Sequence, residues 1–167
     1  AHLKINGLQG KRIGIARNLM GYHQGLDEVF AQAVVTLQQQ GAIIVEQTNF
    51  DNKGQWPEAE FEVLLFELKH DINQYLANTG RGIAKSLVEL IQYNNDNKAI
   101  TMPYFGQELF TMAQSKGDLR EKNYLNALKK AKNETQNQGI DLLLKKYHLD
   151  MIIATTTGPA WKIDWIN

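Results

Sequence analysis

Three threonines, Thr155, Thr156 and Thr157, stand between the short apolar run Met151 to Ala154 and the pair Gly158-Pro159, with Trp161 two residues on. The run is brief and partly β-branched, which predicts a buried strand rather than a helix. Gly158-Pro159 ends it, because glycine relaxes φ and proline removes a backbone donor. Small hydroxyl residues at the carboxyl end of a parallel strand sit where open α/β sheets bind ligands. A strand that simply turns here, with Trp161 filling the core, fits the same composition. Tyr104, Phe105 and Trp161 could wall an apolar substrate pocket or serve as core residues, and the residue types alone leave both readings open.

Other residues capable of chemistry lack the neighbours it requires. The two serines, Ser86 and Ser115, are not flanked by glycine and do not follow a strand. A serine nucleophile needs an adjacent base and donors for the developing oxyanion, so both read as helix-start or surface residues and no catalytic residue is assigned. The four histidines, His2, His23, His70 and His148, show no HxxxH or HxH spacing, so no metal site is expected. Gly21 to Gly25 has neither the GxGxxG spacing nor a P-loop lysine. Glu67, Lys69, His70 and Asp71 could shuttle protons, but an exposed i,i+3 and i,i+4 charge array explains them as well. Lys129, Lys130 and Lys132 read as a solvated helix face.

Composition narrows the classes further. The chain has 167 residues, with 18 lysines and arginines against 18 aspartates and glutamates. A net charge of zero gives no field to draw in a phosphate backbone, so nucleic acid is not an expected partner. The absence of cysteine excludes disulfides and thiolate chemistry in this chain. No apolar run approaches the roughly 20 residues of a membrane helix. A cytoplasmic location is the expectation.

These candidates must be carried by an α/β scaffold. Strands are predicted at about 11–16, 42–47 and 150–154. Between the first two, Leu26, Val29, Phe30, Ala33, Val34 and Leu37 mark a helical stripe closed by Gly41. Strand, helix and strand within about 35 residues make a βαβ unit with parallel strands. Pro57 opens a long helix whose stripe is Phe61, Leu64, Leu65, Leu68, Ile72, Tyr75 and Leu76, with Val63 and Phe66 off it; a helix apolar on two sides wants two neighbours. Short helices follow around Leu87 to Ile91 and at Gln107 to Gln114. A longer one begins at Gly117-Asp118 and bends at Gly139. The expected whole is three mainly parallel strands covered by five or six helices, a single α/β unit over 1–167.

Four blocks in order resemble the amidase signature family. Residues 7–17, GLQGKRIGIAR, resemble its GLKGxRIGVxR strand. Residues 61–69, FEVLLFELK, with Asp71, Asn73, Tyr75 and Leu76, resemble EVLLYEFKxDLNxYL. Residues 103–108 read PYFGQE, as in the family, and Leu149 to Ala154 with Gly158 to Trp161 and 164–167 resemble LDALVAPTxGPAW…D…N. Where the family has Ala-Pro-Thr, this chain has Ala154-Thr155-Thr156, without the proline.

The resemblance implies hydrolysis of a carboxamide C–N bond, without a cofactor, by a serine–cis-serine–lysine triad. That triad's glycine- and serine-rich sequence would lie on the amino-terminal side of this chain, making the chain a carboxyl-terminal part of an amidase. It implies that Thr155, Thr156, Thr157, Gly158 and Trp161 border the substrate funnel, with Tyr104 and Phe105 as weaker members. The expected partners are the missing catalytic part and a small amide, with a second copy of the fragment through the apolar patch left where the core is missing. The alternative is a free-standing α/β binding or interaction module.

Overall fold

The computed structural model describes residues 4–46, 48–79 and 82–160. Expectations that fall on Gln47, Trp161 and 164–167 lie outside them. The chain divides into two compact units. The first holds the described residues of Ala1–Gly54 and Asn133–Asp164, the second those of Gln55–Lys132.

In the first unit, β1 (Arg12–Ile15), β2 (Ile43–Val45) and β3 (Met151–Ile153) form one sheet in the order β2-β1-β3. Both pairings are parallel, with Ile13 opposite Ile44 and Met151, and Gly14 opposite Val45 and Ile152. The central strand is the most buried, and Ile13 and Ile15 are wholly enclosed. Gly14 lies where a side chain cannot fit. A Cβ there would stand 2.6 Å from both Leu149 Cδ1 and Thr48 Oγ1, and Thr48 is itself fully buried, donating to the Val45 carbonyl at 3.0 Å.

The βαβ connection is α1 (Gln24–Gln39). It starts two residues before the expected Leu26, because His23 Nδ1 accepts the Leu26 N–H at 3.2 Å and caps the first turn. Gly41, at φ +86, supplies the left-handed residue after its end. Its inner line is Leu26, Phe30, Val34 and Leu37, narrower than the apolar stripe; Val29 is 63 % exposed. The chain returns to the unit as a π-helix, Asn133–Ile140, kinked at Gly139, and continues as α7 (Asp141–Tyr147). Arg12 donates to the carbonyls of His148 and Tyr147 at 3.0 and 3.1 Å, satisfying the end of α7 from β1.

The second unit contains α2 (Pro57–Asn78), α3 (Leu87–Asp96), the single turn α4 (Lys98–Thr101), α5 (Glu108–Gln114) and α6 (Lys122–Lys132). Its core joins Leu65 of α2, Leu87 of α3 and Ala113 of α5, bordered by Leu68, Ile72, Ile91 and Phe110. The buried face of α2 is rotated from the expected stripe. Phe66 is 2 % exposed, whereas Phe61, Leu64 and Tyr75 face outward. The cause is α6, whose Tyr124 ring meets Phe66 at 5.6 Å and whose hydroxyl donates to Glu67 at 2.8 Å. α6 itself begins at Lys122 rather than at Asp118, because the Asp118 carboxylate folds onto Arg120, accepting its backbone N–H and guanidinium at 2.7 Å. Among the described residues no helix is long and apolar enough to cross a membrane.

Candidate functional site

Parallel strands present all their carboxyl ends at one edge of the sheet, and the loops that leave that edge carry the candidate site. After β1, Arg17–Leu19 makes one 3-10 turn and the chain runs through Gly21 and Tyr22 to α1. After β2 come Glu46 and Thr48. After β3 come Ala154, the three threonines and Gly158. The Ala16 N–H donates to the Ile153 carbonyl at 3.1 Å, so pairing persists to the point where the loops part.

Thr155 is half-buried in this edge, while Thr156 and Thr157 are exposed. The Thr155 hydroxyl donates to the Leu19 carbonyl at 3.1 Å and lies 3.1 Å from the Tyr22 hydroxyl. A carbonyl can only accept and Thr155 has one proton, so that proton goes to Leu19 and the phenol donates to Thr155. A Cβ built on Gly158 would lie 3.9 Å from Tyr22 Cε2, which places the tyrosine ring beside the end of the threonine run. The loop carrying Tyr22 is held in turn by Gly21 N–H donating to Asp27 of α1 at 3.3 Å.

Arg17 and Glu46 complete the edge. The guanidinium forks onto the carboxylate at 2.8 and 3.0 Å and passes 5.9 Å over the Phe30 ring. This hydrogen bonding holds the Glu46 carboxyl below the usual range and raises Arg17 further, so the pair stays ionised and neutral overall. Asn18 knits the same edge to the following segment, donating to the Phe50 carbonyl at 2.8 Å and receiving the Phe50 N–H at 3.3 Å.

Of the residues selected from sequence, Thr155, Thr156, Thr157 and Gly158 therefore stand together on the carboxyl edge of the first unit. Tyr104 and Phe105 belong to the second unit, where they are exposed on the loop between α4 and α5. Gln107 ties that loop to α3, donating to the Ile91 carbonyl and to Asn95 and accepting from Asn94. A shallow groove of about 410 Å³ runs beside it, lined in part by Asn95, Met102, Gln107 and Met112. Tyr22 and the Arg17–Glu46 pair were not selected from sequence, although a loop leaving the first strand of a parallel sheet is itself the signal.

The remaining chemical candidates have structural partners. Ser86 caps α3, accepting the Glu89 N–H at 3.3 Å, while Glu89 accepts the Lys85 N–H at 2.8 Å. Ser115 donates to the Met112 carbonyl at 2.7 Å at the end of α5. The charge array on α2 is divided: Glu67 accepts a hydrogen bond from the Tyr124 hydroxyl, Lys69 donates to the carbonyls of Gln114 and Lys116, and His70 pairs with Gln74 at 2.8 Å. Among the described residues no group of three or more His, Asp or Glu side chains could hold a metal ion.

No family model matches the chain. A probable amidase of Arabidopsis thaliana is 30 % identical over 159 residues, covering 90 % of this chain and 29 % of that protein. The solved structure of native peptide amidase from Stenotrophomonas maltophilia aligns with a TM-score of 0.84 at 36 % identity, covering 93 % of this chain and 32 % of the other. A peptide amidase solved with the competitive inhibitor chymostatin aligns with a TM-score of 0.87 at 35 % identity, over 96 % of this chain and 32 % of that one. The chain thus spans about a third of the length of the relatives it matches.

Proposed function

The chain belongs to the amidase signature family, and from that premise we propose that it is the carboxyl-terminal part of a carboxamide hydrolase. One observation carries the reading: the likeness to peptide amidases runs through 93–96 % of this chain yet takes in only 32 % of theirs. The family's triad would act from the remainder of the parent, a serine oxygen displacing the amine through an acyl-serine and water then releasing the acid. This chain would supply the sheet, its helical cover and a wall of the substrate path. Thr155, Thr156, Thr157, Gly158 and Trp161 would form that wall, and Tyr104 and Phe105 are weaker candidates for substrate contact. The outward Phe61, Leu64 and Tyr75 of α2 are the surface this reading assigns to contact with the remainder.

A peptide carboxamide is the first substrate to try, because the solved relatives at 35–36 % identity are peptide amidases. The purified 167-residue chain should release no ammonia from it, whereas the protein extended by the coding sequence upstream should. Turnover by the chain alone, abolished by Ser86→Ala or Ser115→Ala, would overturn the proposal.

A further inference from the structure

We propose that Tyr22 is the positioning residue of the carboxyl-edge site, holding the 155–158 loop in the one arrangement that it presents to substrate; the word substrate here rests on the function proposed above. The phenol donates to Thr155 and Thr155 donates to the Leu19 carbonyl, both at 3.1 Å, so the loop after β3 is fastened to the loop after β1 through a single relay of two hydroxyls. Each link depends on the other. Without the Tyr22 proton the Thr155 oxygen loses a donor, and without Thr155 the phenol has nothing at the loop to grip.

The same side chain supplies a surface. Tyr22 is 55 % exposed although its hydroxyl is engaged, and its ring flanks Gly158. A tyrosine pinned at its tip and open along its face is a preformed apolar wall that loses little conformational freedom when a ligand covers it. Its own loop is braced by Asp27, through Gly21 N–H, and by the His23 cap of α1. The rigidity of the 155–158 loop is therefore borrowed from a helix through Tyr22, since Thr156 and Thr157 are exposed and leave the strand behind.

Hydrogen exchange on the 167-residue chain tests the fastening without recourse to catalysis. Tyr22→Phe keeps the ring and removes the proton, and it should speed exchange at the amides of 155–158 by about fivefold, the ratio for a hydrogen bond of ~1 kcal/mol. Thr155→Val should do the same and Thr155→Ser should restore the parent rates, while Ile13 and Ile15 amides in β1 stay unchanged in all three. Rates in Tyr22→Phe within about twofold of the parent, well short of that one-bond ratio, would overturn the inference.

In the extended protein, Tyr22→Phe should raise KM for a peptide carboxamide by about fivefold with kcat retained, as expected when one ordering hydrogen bond is lost from binding alone. An equal fall in kcat at unchanged KM would overturn the positioning role. Absence of turnover in the unsubstituted extended protein would defeat the proposed function, and the exchange rates would still decide the fastening.

Discussion

The carboxylate of Asp150 lies 2.6 Å from the Lys11 ammonium and accepts the Arg12 N–H at 2.9 Å, so the residue before β3 grips the first residue of β1 and the one ahead of it. The lysine contact, then the backbone N–H, lowers the Asp150 pKa below the ordinary aspartate value. A carboxyl whose folded pKa is depressed contributes stability above its unfolded pKa, and that contribution disappears as pH falls through the folded one. Acid unfolding followed by circular dichroism should therefore show a loss of stability below about pH 4 that Asp150→Asn lacks, the variant being less stable at neutral pH and converging on the parent in acid.

Tyr124 has the opposite sign. Its hydrogen bond to Glu67 raises its pKa above that of free tyrosine. The contribution is complete below about pH 10, the unfolded value, and is lost as pH rises through the higher folded value. Tyr124→Phe should cost about 1 kcal/mol at neutral pH and remove this alkaline dependence. Phe66→Ala, which empties the ring contact beneath it, should cost about 3–5 kcal/mol. Urea unfolding measures both.

Gly14→Ala should destabilise the first unit by about 1–3 kcal/mol, as expected for an extra methyl forced into a packed core. The damage comes from Thr48 Oγ1 and Leu149 Cδ1, each 2.6 Å from the new atom. Thr48→Ala combined with Leu149→Ala removes both crowding atoms and should couple favourably with Gly14→Ala, and additive losses in the urea midpoint would refute the steric account.

Phe61 and Leu64 lie one turn apart and outward on α2, and the isolated chain is expected to self-associate through them. Leu64→Lys should raise the monomer fraction in sedimentation velocity. Indistinguishable sedimentation of the two proteins at high concentration would count against this.

The strands were legible because β-branched runs bounded by Gly41 ahead of β2 and by Gly158-Pro159 beyond β3 leave few alternatives, and the switch from period two to period 3.6 at α1 forced their parallel direction. The length of α2 was legible from Pro57 and the polar stop after Leu76. Its buried face was not, because a helix with apolar residues on two sides does not say which side meets a neighbour. Tyr124 made that choice from about 60 residues away. The site divided in the same manner. Composition marked Thr155 to Gly158, whereas Tyr22 and the Arg12 cap on α7 come from partners more than 130 positions distant, which no local pattern encodes.

The order β2-β1-β3 has a consequence for how the chain comes into being. Of the three strands the middle one is made first and β3 last, with Gln55–Lys132 emerging between β2 and β3. During synthesis that intervening helical segment has the members of its own core, Leu65, Leu87 and Ala113, within reach and can settle early, while Ile13 and Ile15 wait for their β3 partners until Met151 leaves the ribosome. The vulnerable interval is the one in which a chaperone would find its footing, and a truncation placed before Met151 would make that interval permanent.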